Sequence, residues 1–238
     1  MPRFLAIVLA LAWSGSAAAS PVAHVPILEF HVIGNPAPGA ANTGLYDAPQ
    51  TFRSQIAWLA SHGYHAVTLD ELVRYWRSAG WLALPARPVV LTFDDGYPED
   101  VDVAMPLLRM RRWPAVLNLQ VGNLVPKRVR LLIAAGWEID VHTFRHPDLT
   151  KVGTAQLRRE VVGARRWIRS VFGVPADFFC YPYGKYDARV VAAVRRAGYA
   201  GAETELGGDA SSASDPYLLH RIEVLRTDGV AELAAKLG

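Results

Sequence analysis

The sequence predicts an α/β fold in which seven or eight parallel strands form a closed or nearly closed barrel. Short apolar runs alternate with helix-like stretches along the whole chain, and this order is typical of a parallel sheet with helical crossovers. The number of runs fits seven or eight strand–helix units. The rival fold is a doubly wound open sheet, and the sequence lacks the G-x-G-x-x-G turn that often accompanies it. These observations favour the barrel.

The individual elements follow from hydrophobic periodicity. The predicted strands are residues 25–31, 66–69, 89–93, 115–119, 137–141, 178–181, 199–203 and 220–225. One predicted helix covers 51–63, with Phe52, Ile56 and Leu59 on one face and Gly63 as its stop. The clearest helix covers 154–172, where apolar residues recur at spacings of four and three. A short helix at 230–237 closes the chain.

The N-terminus has the pattern of an export signal. Arg3 precedes an apolar run of about ten residues, and the small residues Ala17, Ala18 and Ala19 follow. A membrane anchor would need about 20 apolar residues to span a bilayer. We therefore expect a signal peptide at 1–19, a single domain at 20–238, and a periplasmic or secreted protein with no stable membrane insertion after cleavage.

Composition limits the classes of partner. The chain has 238 residues, of which 51% are hydrophobic, with a formal net charge of +3. This mild charge does not predict nucleic-acid binding, because the arginines fall in helix-like segments that are typical of solvated faces. Cys180 is the single cysteine, so no intrachain disulfide can form. We expect a monomer whose stability comes from its apolar core.

Polar residues follow several predicted strands directly. His31 ends the first strand, Asp94 and Asp95 follow "VVLTF", His142 follows "WEIDV", and Tyr183 follows "FFCY". In parallel α/β folds, the carboxyl ends of the strands meet at one rim, where catalytic groups gather. The sequence therefore predicts one site at this rim.

His142 and His146 predict a metal site. Their spacing of four places both imidazoles on one face of a helical turn. Together with a carboxylate from another strand, they would form a three-ligand site with positions left for water. One of the two aspartates, Asp94 or Asp95, would be that ligand, and the other would be a general base.

Three motifs in this order resemble those of a known family. "TFDDG" (92–96), "HTFRH" (142–146) and "YPYG" (181–184) are similar to the leading motifs of the polysaccharide deacetylases, the NodB-homology group or carbohydrate esterase family 4. The resemblance spans about residues 25–225. It implies a distorted (β/α)7-8 barrel and a hydrolase that removes acetyl groups, mostly N-acetyl, from carbohydrate polymers such as peptidoglycan or exopolysaccharides.

The resemblance also implies a role for each motif residue. Asp95, His142 and His146 would bind a divalent metal, usually zinc, and Asp94 would be the general base. The backbone N–H of Tyr183 would hold the oxyanion. His220, in "LLH", matches a late motif whose histidine protonates the leaving amine. If His220 does not, protonated Asp94 would return its proton to the amine.

The chain departs from the family pattern at one position. Cys180 stands where the third motif often has an arginine that orients the base. Without that cation, we expect only the metal to lower the pKa of Asp94. Two alternatives follow: a catalytically impaired carbohydrate-binding protein on the same fold, and an iron(II) oxygenase, since two histidines and one carboxylate also suit that chemistry.

Overall fold

A computed structural model describes residues 22–78 and 81–238 of the chain. The predicted signal peptide at 1–19 lies outside the described residues. Within the described ranges, no helix is both long and apolar enough to cross a bilayer.

The described residues form strands and helices in alternation, as predicted. The strands are β1 (His24–Val25), β2 (Ile27–Phe30), β3 (His65–Val67), β4 (Pro88–Asp95), β5 (Val116–Leu119), β6 (Glu138–Val141), β7 (Phe178–Cys180), β8 (Gly201–Glu203), β9 (Ala210–Ser211) and β10 (Ile222–Glu223). The α-helices are α1 (Pro49–Ser61), α2 (Leu69–Arg77), α3 (Met105–Arg109), α4 (Pro126–Ala134), α5 (Thr154–Arg158), α6 (Ala164–Phe172), α7 (Ala188–Arg196) and α8 (Val230–Leu237). Two π-helical segments, Asp100–Ala104 and Arg159–Gly163, join the helical stretches around them.

The main sheet is parallel and curls into a distorted barrel. Its order is β10-β2-β4-β5-β6-β7-β8, and β3 also pairs with β4. A parallel bridge between Glu203 and Leu219 joins the end of β8 to the segment that precedes β10. The long strand β4 causes the distortion, because β3 and β5 pair with successive parts of the same edge. The predicted fold class is confirmed.

Two predicted elements are modified. The first strand is divided at Pro26: Val25 pairs with β9 in a separate antiparallel ribbon, while Ile27 begins the pairing with β4. Proline has no N–H for a ladder, so it suits this change of partner. The helix predicted at 154–172 is present, but its middle turn is the π-helical segment Arg159–Gly163.

Side chains inside the barrel fall into an apolar part and a polar part. At one end, Ile27, Val90, Val116 and Phe178 pack with residues of α2 and close the barrel. Towards the carboxyl ends of the strands the interior becomes polar. Its buried members are Glu29, Thr92, Asp94, Asn118, Asp140, Glu203 and Arg221. This polar interior lies directly under the predicted site.

Candidate active site

The carboxyl ends of the strands open into a cavity of about 750 Å³. Five of the residues predicted from the sequence line it: Asp94, Asp95, His142, His146 and Tyr183. Four more polar residues at or near the ends of β2, β5, β8 and β10 also line the cavity, namely His31, Gln120, Glu205 and Glu223. The loop after β2 forms another wall with Asn42 and Tyr46 among its residues. The structure therefore brings together five of the six predicted site residues.

Asp95, His142 and His146 direct three possible ligand atoms toward one point. Asp95 Oδ1 lies 3.7 Å from His142 Nε2 and 3.8 Å from His146 Nε2. Donor atoms about 2.1 Å from a tetrahedral ion would be separated by roughly 3.4 Å. Both Asp95 Oδ1 and His142 Nε2 are buried without a hydrogen-bond partner among the described residues. Buried polar atoms are rarely left unpaired, so this donor set fits a divalent metal.

Within the described residues, two other clusters have suitable atoms, but each contains a carboxylate that is already engaged. These are Asp94, His142 and Cys180, and Glu29, His31 and Asp94. Both contain Asp94, whose two oxygens bond to Arg221. Asp95 has an oxygen free to face both histidines, so Asp95 is the better metal ligand of the pair.

The imidazole of His142 is prepared for ligation by its surroundings. Its Nδ1 lies 3.0 Å from the backbone carbonyl of Cys180, which can only accept a hydrogen bond. The proton therefore belongs on Nδ1, and the lone pair of Nε2 faces Asp95. Burial lowers the pKa of His142 to about 4. The ring is thus neutral near pH 7, as metal binding requires.

The segment from His142 to His146 is a bent loop, and the predicted helical turn is wrong. Thr143 and His146 both have left-handed backbones, with φ of 69° and 55°. The hydroxyl of Thr143 accepts the backbone N–H of His146 at 2.9 Å. The imidazoles approach because the loop folds back, and their ring centroids are 4.5 Å apart.

A tight turn directs Asp95 away from Asp94. Asp95 and Gly96 have φ of 72° and 86°, so the chain leaves the strand at Asp95. A Cβ on Gly96 would lie 3.0 Å from Leu119 Cδ1, a second reason for glycine there. The hydroxyl of Tyr97 donates to Asp95 Oδ2 at 3.2 Å. Because this hydrogen bond uses Oδ2, the other oxygen of Asp95, Oδ1, can face the two histidines.

Arg221 forms a two-pronged ion pair with Asp94. Its Nη1 donates to Oδ1 and its Nη2 to Oδ2, both at 2.9 Å. Arg221 is 1% exposed. Burial by itself raises the pKa of Asp94, but the charge and hydrogen bonds of Arg221 outweigh burial and hold that pKa well below its usual range. The expectation that only a metal would do so is wrong, because the chain supplies the cation from the segment before β10.

Cys180 and Asn118 complete the surroundings of Asp94. Asn118 Nδ2 donates to Oδ1 at 2.8 Å. The thiol of Cys180 accepts from Arg221 Nη2 at 3.2 Å and donates to Asp94 Oδ2 at 3.3 Å. Burial raises the pKa of Cys180 well above its ordinary value, so the thiol keeps its proton. Cys180 therefore supports the ion pair from the position where the family often has its arginine.

Burial makes the other carboxyls in the barrel interior hold their protons more tightly than usual. Burial raises the pKa of Glu29 and Asp140 well above the usual range, and that of Glu203 to about 7. Glu29 Oε1 lies 3.1 Å from Arg221 Nη2, but Arg221 is shared with Asp94. Arg221 therefore makes its closest ion pair with Asp94, whose two oxygens it bonds at 2.9 Å.

Tyr183 lies in the cavity and His220 does not line it. Tyr183 has a left-handed backbone with φ of 59°, and its ring packs on His146 with centroids 4.4 Å apart. His220 Nδ1 lies 2.9 Å from the carbonyl of Gly207. The adjacent residue, Arg221, is the one that enters the barrel. The geometry gives no support to His220 as the acid, and its predicted role stays a prediction.

Sequence reasoning missed Arg221, Asn118 and Glu160. Arg221 lies in the last predicted strand, and the need of a buried aspartate for a counter-charge could have directed attention to it. Asn118 has an internal position on β5 in register with Asp94. Glu160 accepts two backbone N–H groups of the loop between His142 and His146. Nothing in the sequence indicated that contact.

The family model for polysaccharide deacetylase matches residues 83–202, half of the chain. The chain belongs to the polysaccharide deacetylase family. The match contains the three motifs quoted above. The family indicates a hydrolase that removes acetyl groups.

Two curated relatives and one solved structure of this family are similar to the chain. One is YxkH of Bacillus subtilis (strain 168), whose name describes it as a polysaccharide deacetylase. It is 26% identical over 212 residues, which cover 85% of this chain and 72% of the YxkH chain. The chitooligosaccharide deacetylase of Bradyrhizobium sp. (strain ANU 289) is 37% identical over 120 residues, 48% of this chain and 54% of its own. The match thus spans about half the length of the chitooligosaccharide deacetylase.

The solved structure is the Streptococcus pyogenes deacetylase PplD in complex with acetate. It has a TM-score of 0.83 and 26% identity, and the alignment covers 92% of this chain and 100% of PplD. The fold of this deacetylase is therefore shared over nearly the whole chain.

Proposed function

We propose that this protein is a metal-dependent hydrolase that removes N-acetyl groups from N-acetylglucosamine-type units of a carbohydrate polymer. The observation that carries the proposal is that the two adjacent aspartates have different partners. Asp94 is held by Arg221 inside the barrel, whereas Asp95 Oδ1 faces two imidazole nitrogens. This arrangement supplies both a ligand set and a separate base.

Asp95, His142 and His146 would hold the metal, and we propose zinc because two imidazoles and one carboxylate are ligands that catalytic zinc sites use. A bound zinc ion would lower the pKa of water to about 7 and polarise a carbonyl group. The same donors also suit iron(II). The second aspartate favours hydrolysis over oxygen chemistry, because it offers a base that an oxygenase does not need.

Asp94 would take the proton of the attacking water. The ion pair with Arg221 keeps Asp94 ionised, so it is ready to accept a proton but is a weak base. A weak base can deprotonate a water molecule only if the pKa of that water is lowered, and a metal bound beside it would lower that pKa. Protonated Asp94 would then return the proton to the leaving amine, since His220 does not line the cavity.

The Tyr183 backbone N–H would stabilise the oxyanion of the acetamide. Tyr183 lines the cavity beside His146, and its left-handed conformation is a strain that commonly accompanies functional positions. Preorganised donors of this kind contribute about 2.7 to 4 kcal/mol to a transition state.

The cavity walls suit a sugar chain. Amide and phenol groups that can bond to hydroxyls lie around the metal site, and they belong to Asn42, Tyr46, Tyr97, Gln120 and Asn123. The volume of about 750 Å³ accommodates more than one sugar ring. The name of the chitooligosaccharide deacetylase is consistent with this substrate class.

The alternative, a carbohydrate-binding protein without turnover, rested on Cys180 and on the uncertain general acid. Since Arg221 provides the cation that Cys180 lacks, the departure at Cys180 no longer argues for lost activity. Export to the periplasm or beyond, and action as a monomer, remain proposals that accompany this function.

The deciding experiment measures acetate release from N-acetylglucosamine oligomers by wild type, after chelation and after zinc is returned. We expect zinc-dependent release. Asp94→Asn should lower kcat by about 10² to 10⁴, the usual contribution of a general base, and should still bind zinc. Asp102→Asn is the matched control, because Asp102 is exposed and pairs only with Arg128 in the described residues.

The outcomes separate the hypotheses. A wild type that binds zinc but releases no acetate favours the binding protein. Full activity of Asp94→Asn removes Asp94 from the reaction. Oxygen consumption with iron(II), with no acetate release, favours the oxygenase.

A further inference from the structure

We propose that Glu160 is a positioning residue that fixes the metal-binding loop, residues 142–146, from the neighbouring helix. The proposal rests on the proposed function in one respect, namely that this loop binds a metal. Glu160 does not line the cavity at the candidate metal site. It acts on His146 through the backbone.

The carboxylate of Glu160 bonds directly to the loop. Its Oε2 accepts the backbone N–H of Phe144 at 2.7 Å and that of Arg145 at 3.1 Å. Glu160 is 0% exposed. Two successive amides are therefore held at one oxygen, immediately before His146.

The loop needs such support because its backbone is strained. Thr143 and His146 are left-handed residues other than glycine, with φ of 69° and 55°. Such conformations persist only where the surroundings enforce them. The hydroxyl of Thr143 restrains the N–H of His146, and Glu160 restrains the two amides between them. Together they fix the direction of the His146 ring.

The π-helical segment Arg159–Gly163 contains both helix residues that meet the loop. Glu160 supplies the carboxylate, and Gly163 lies against the ring of Phe144, since a Cβ there would be 3.2 Å from Phe144 Cε2. A π-turn inserts one extra residue into a helix and redirects the side chains around it. The irregular helix and the irregular loop therefore fit each other at two points.

The carboxyl group of Glu160 has few other polar contacts among the described residues. Its Oε1 is buried without a hydrogen-bond partner among the described residues. The nearest cation to it is the exposed Arg159, whose Nη2 is 3.8 Å away. The two loop amides are thus its hydrogen-bond partners within 22–78 and 81–238.

The experiment compares zinc affinity, measured by competition with a chromophoric chelator, for wild type, Glu160→Ala and Glu160→Gln. We expect Glu160→Ala to weaken zinc binding 10- to 100-fold, as loss of a ligand-orienting contact commonly does. Glu160→Gln should stay within about threefold of wild type, because both amides use one oxygen and the glutamine carbonyl can replace it. The control is Glu232→Ala, which removes an exposed glutamate of α8 and should leave the affinity unchanged.

The visible spectrum of the Co²⁺-loaded protein reports ligand geometry independently of activity. We expect Glu160→Ala to change band intensities and Glu160→Gln to preserve them. If Glu160→Ala does not fold, Glu160→Asp keeps the charge but shortens the reach, and the same loss of zinc affinity is expected.

Unchanged affinity and an unchanged Co²⁺ spectrum in Glu160→Ala would overturn the proposal. Equal losses in the alanine and glutamine variants would also overturn it, because charge alone would then matter. A wild type with normal zinc affinity but no acetate release contradicts the proposed function and leaves this comparison valid. A wild type that binds no zinc overturns both.

Discussion

Asp94 and Asp95 are neighbours in sequence, yet they lie in opposite kinds of surroundings. Asp94 faces the closed barrel interior, where Arg221 and Asn118 satisfy its oxygens. Asp95 faces the open rim, where Oδ1 has no hydrogen-bond partner in the described part of the chain. In the first pocket, protein side chains donate hydrogen bonds to both carboxylate oxygens. In the second pocket, one carboxylate oxygen is available for a ligand. The two aspartates suit different roles because only Asp94 forms an ion pair with a buried arginine.

The largest expected effect comes from removing the cation of the closed pocket. Arg221→Met leaves Asp94 buried without a counter-charge, and breaking a buried ion pair from one side costs about 3 to 5 kcal/mol. We expect this loss in the free energy of unfolding, measured with urea, together with loss of acetate release. The double variant Arg221→Met with Cys180→Arg returns a guanidinium from β7. It should recover part of the stability.

Two results would contradict this account of the closed pocket. One is a loss below about 1 kcal/mol in Arg221→Met, the value typical of an exposed pair. The other is higher stability of Cys180→Arg alone, since a second guanidinium beside Arg221 should destabilise the protein.

A smaller effect, which depends on pH, is expected from Glu203. Burial raises its pKa from 4.5 to about 7, so between these values the folded protein retains a proton that the unfolded chain has lost. The unfolded state then binds fewer protons, and stability falls as pH rises. At 1.36 kcal/mol per pKa unit, the full contribution is about 3 kcal/mol.

Glu203→Gln removes this titration while keeping the shape. We expect the unfolding free energy of the variant to fall less than that of wild type from about pH 5 to about pH 8. Asp47 also has a pKa raised by burial to about 7 and titrates in both proteins, so the difference between the two curves is the test. Parallel curves would mean that Glu203 is already ionised when folded.

The smallest expected effect lies in the open pocket. Tyr97→Phe removes the hydroxyl that donates to Asp95 Oδ2. We expect about a tenfold loss of zinc affinity, at the lower end for a contact that orients a ligand. Among the described residues, Tyr97 has its side-chain hydrogen bond with Asp95 and none with Asp94. A fall in stability as large as that of Arg221→Met would therefore show that the two pockets are not separate.

The sequence predicted most of the fold because its signals are local. Strand β4 and helix α1 were predicted close to their observed bounds from apolar runs and periodicity. The placement of Asp94, Asp95, His142 and Tyr183 followed because each lies at or just beyond the end of a predicted strand. The loop at 142–146 was predicted wrongly, since a spacing of four fits a helix but does not require one.

The sequence by itself determined which strand ends carry the two aspartates and the two histidines. The tertiary structure decided which partners surround each aspartate. Arg221 reaches Asp94 across 127 positions of the chain, and Glu160 reaches its amides from a helix whose π-turn no periodicity reveals. Hydrophobic patterns record which face of an element is buried, whereas a buried charge finds its partner only when the sheet has curled and brought distant strands together.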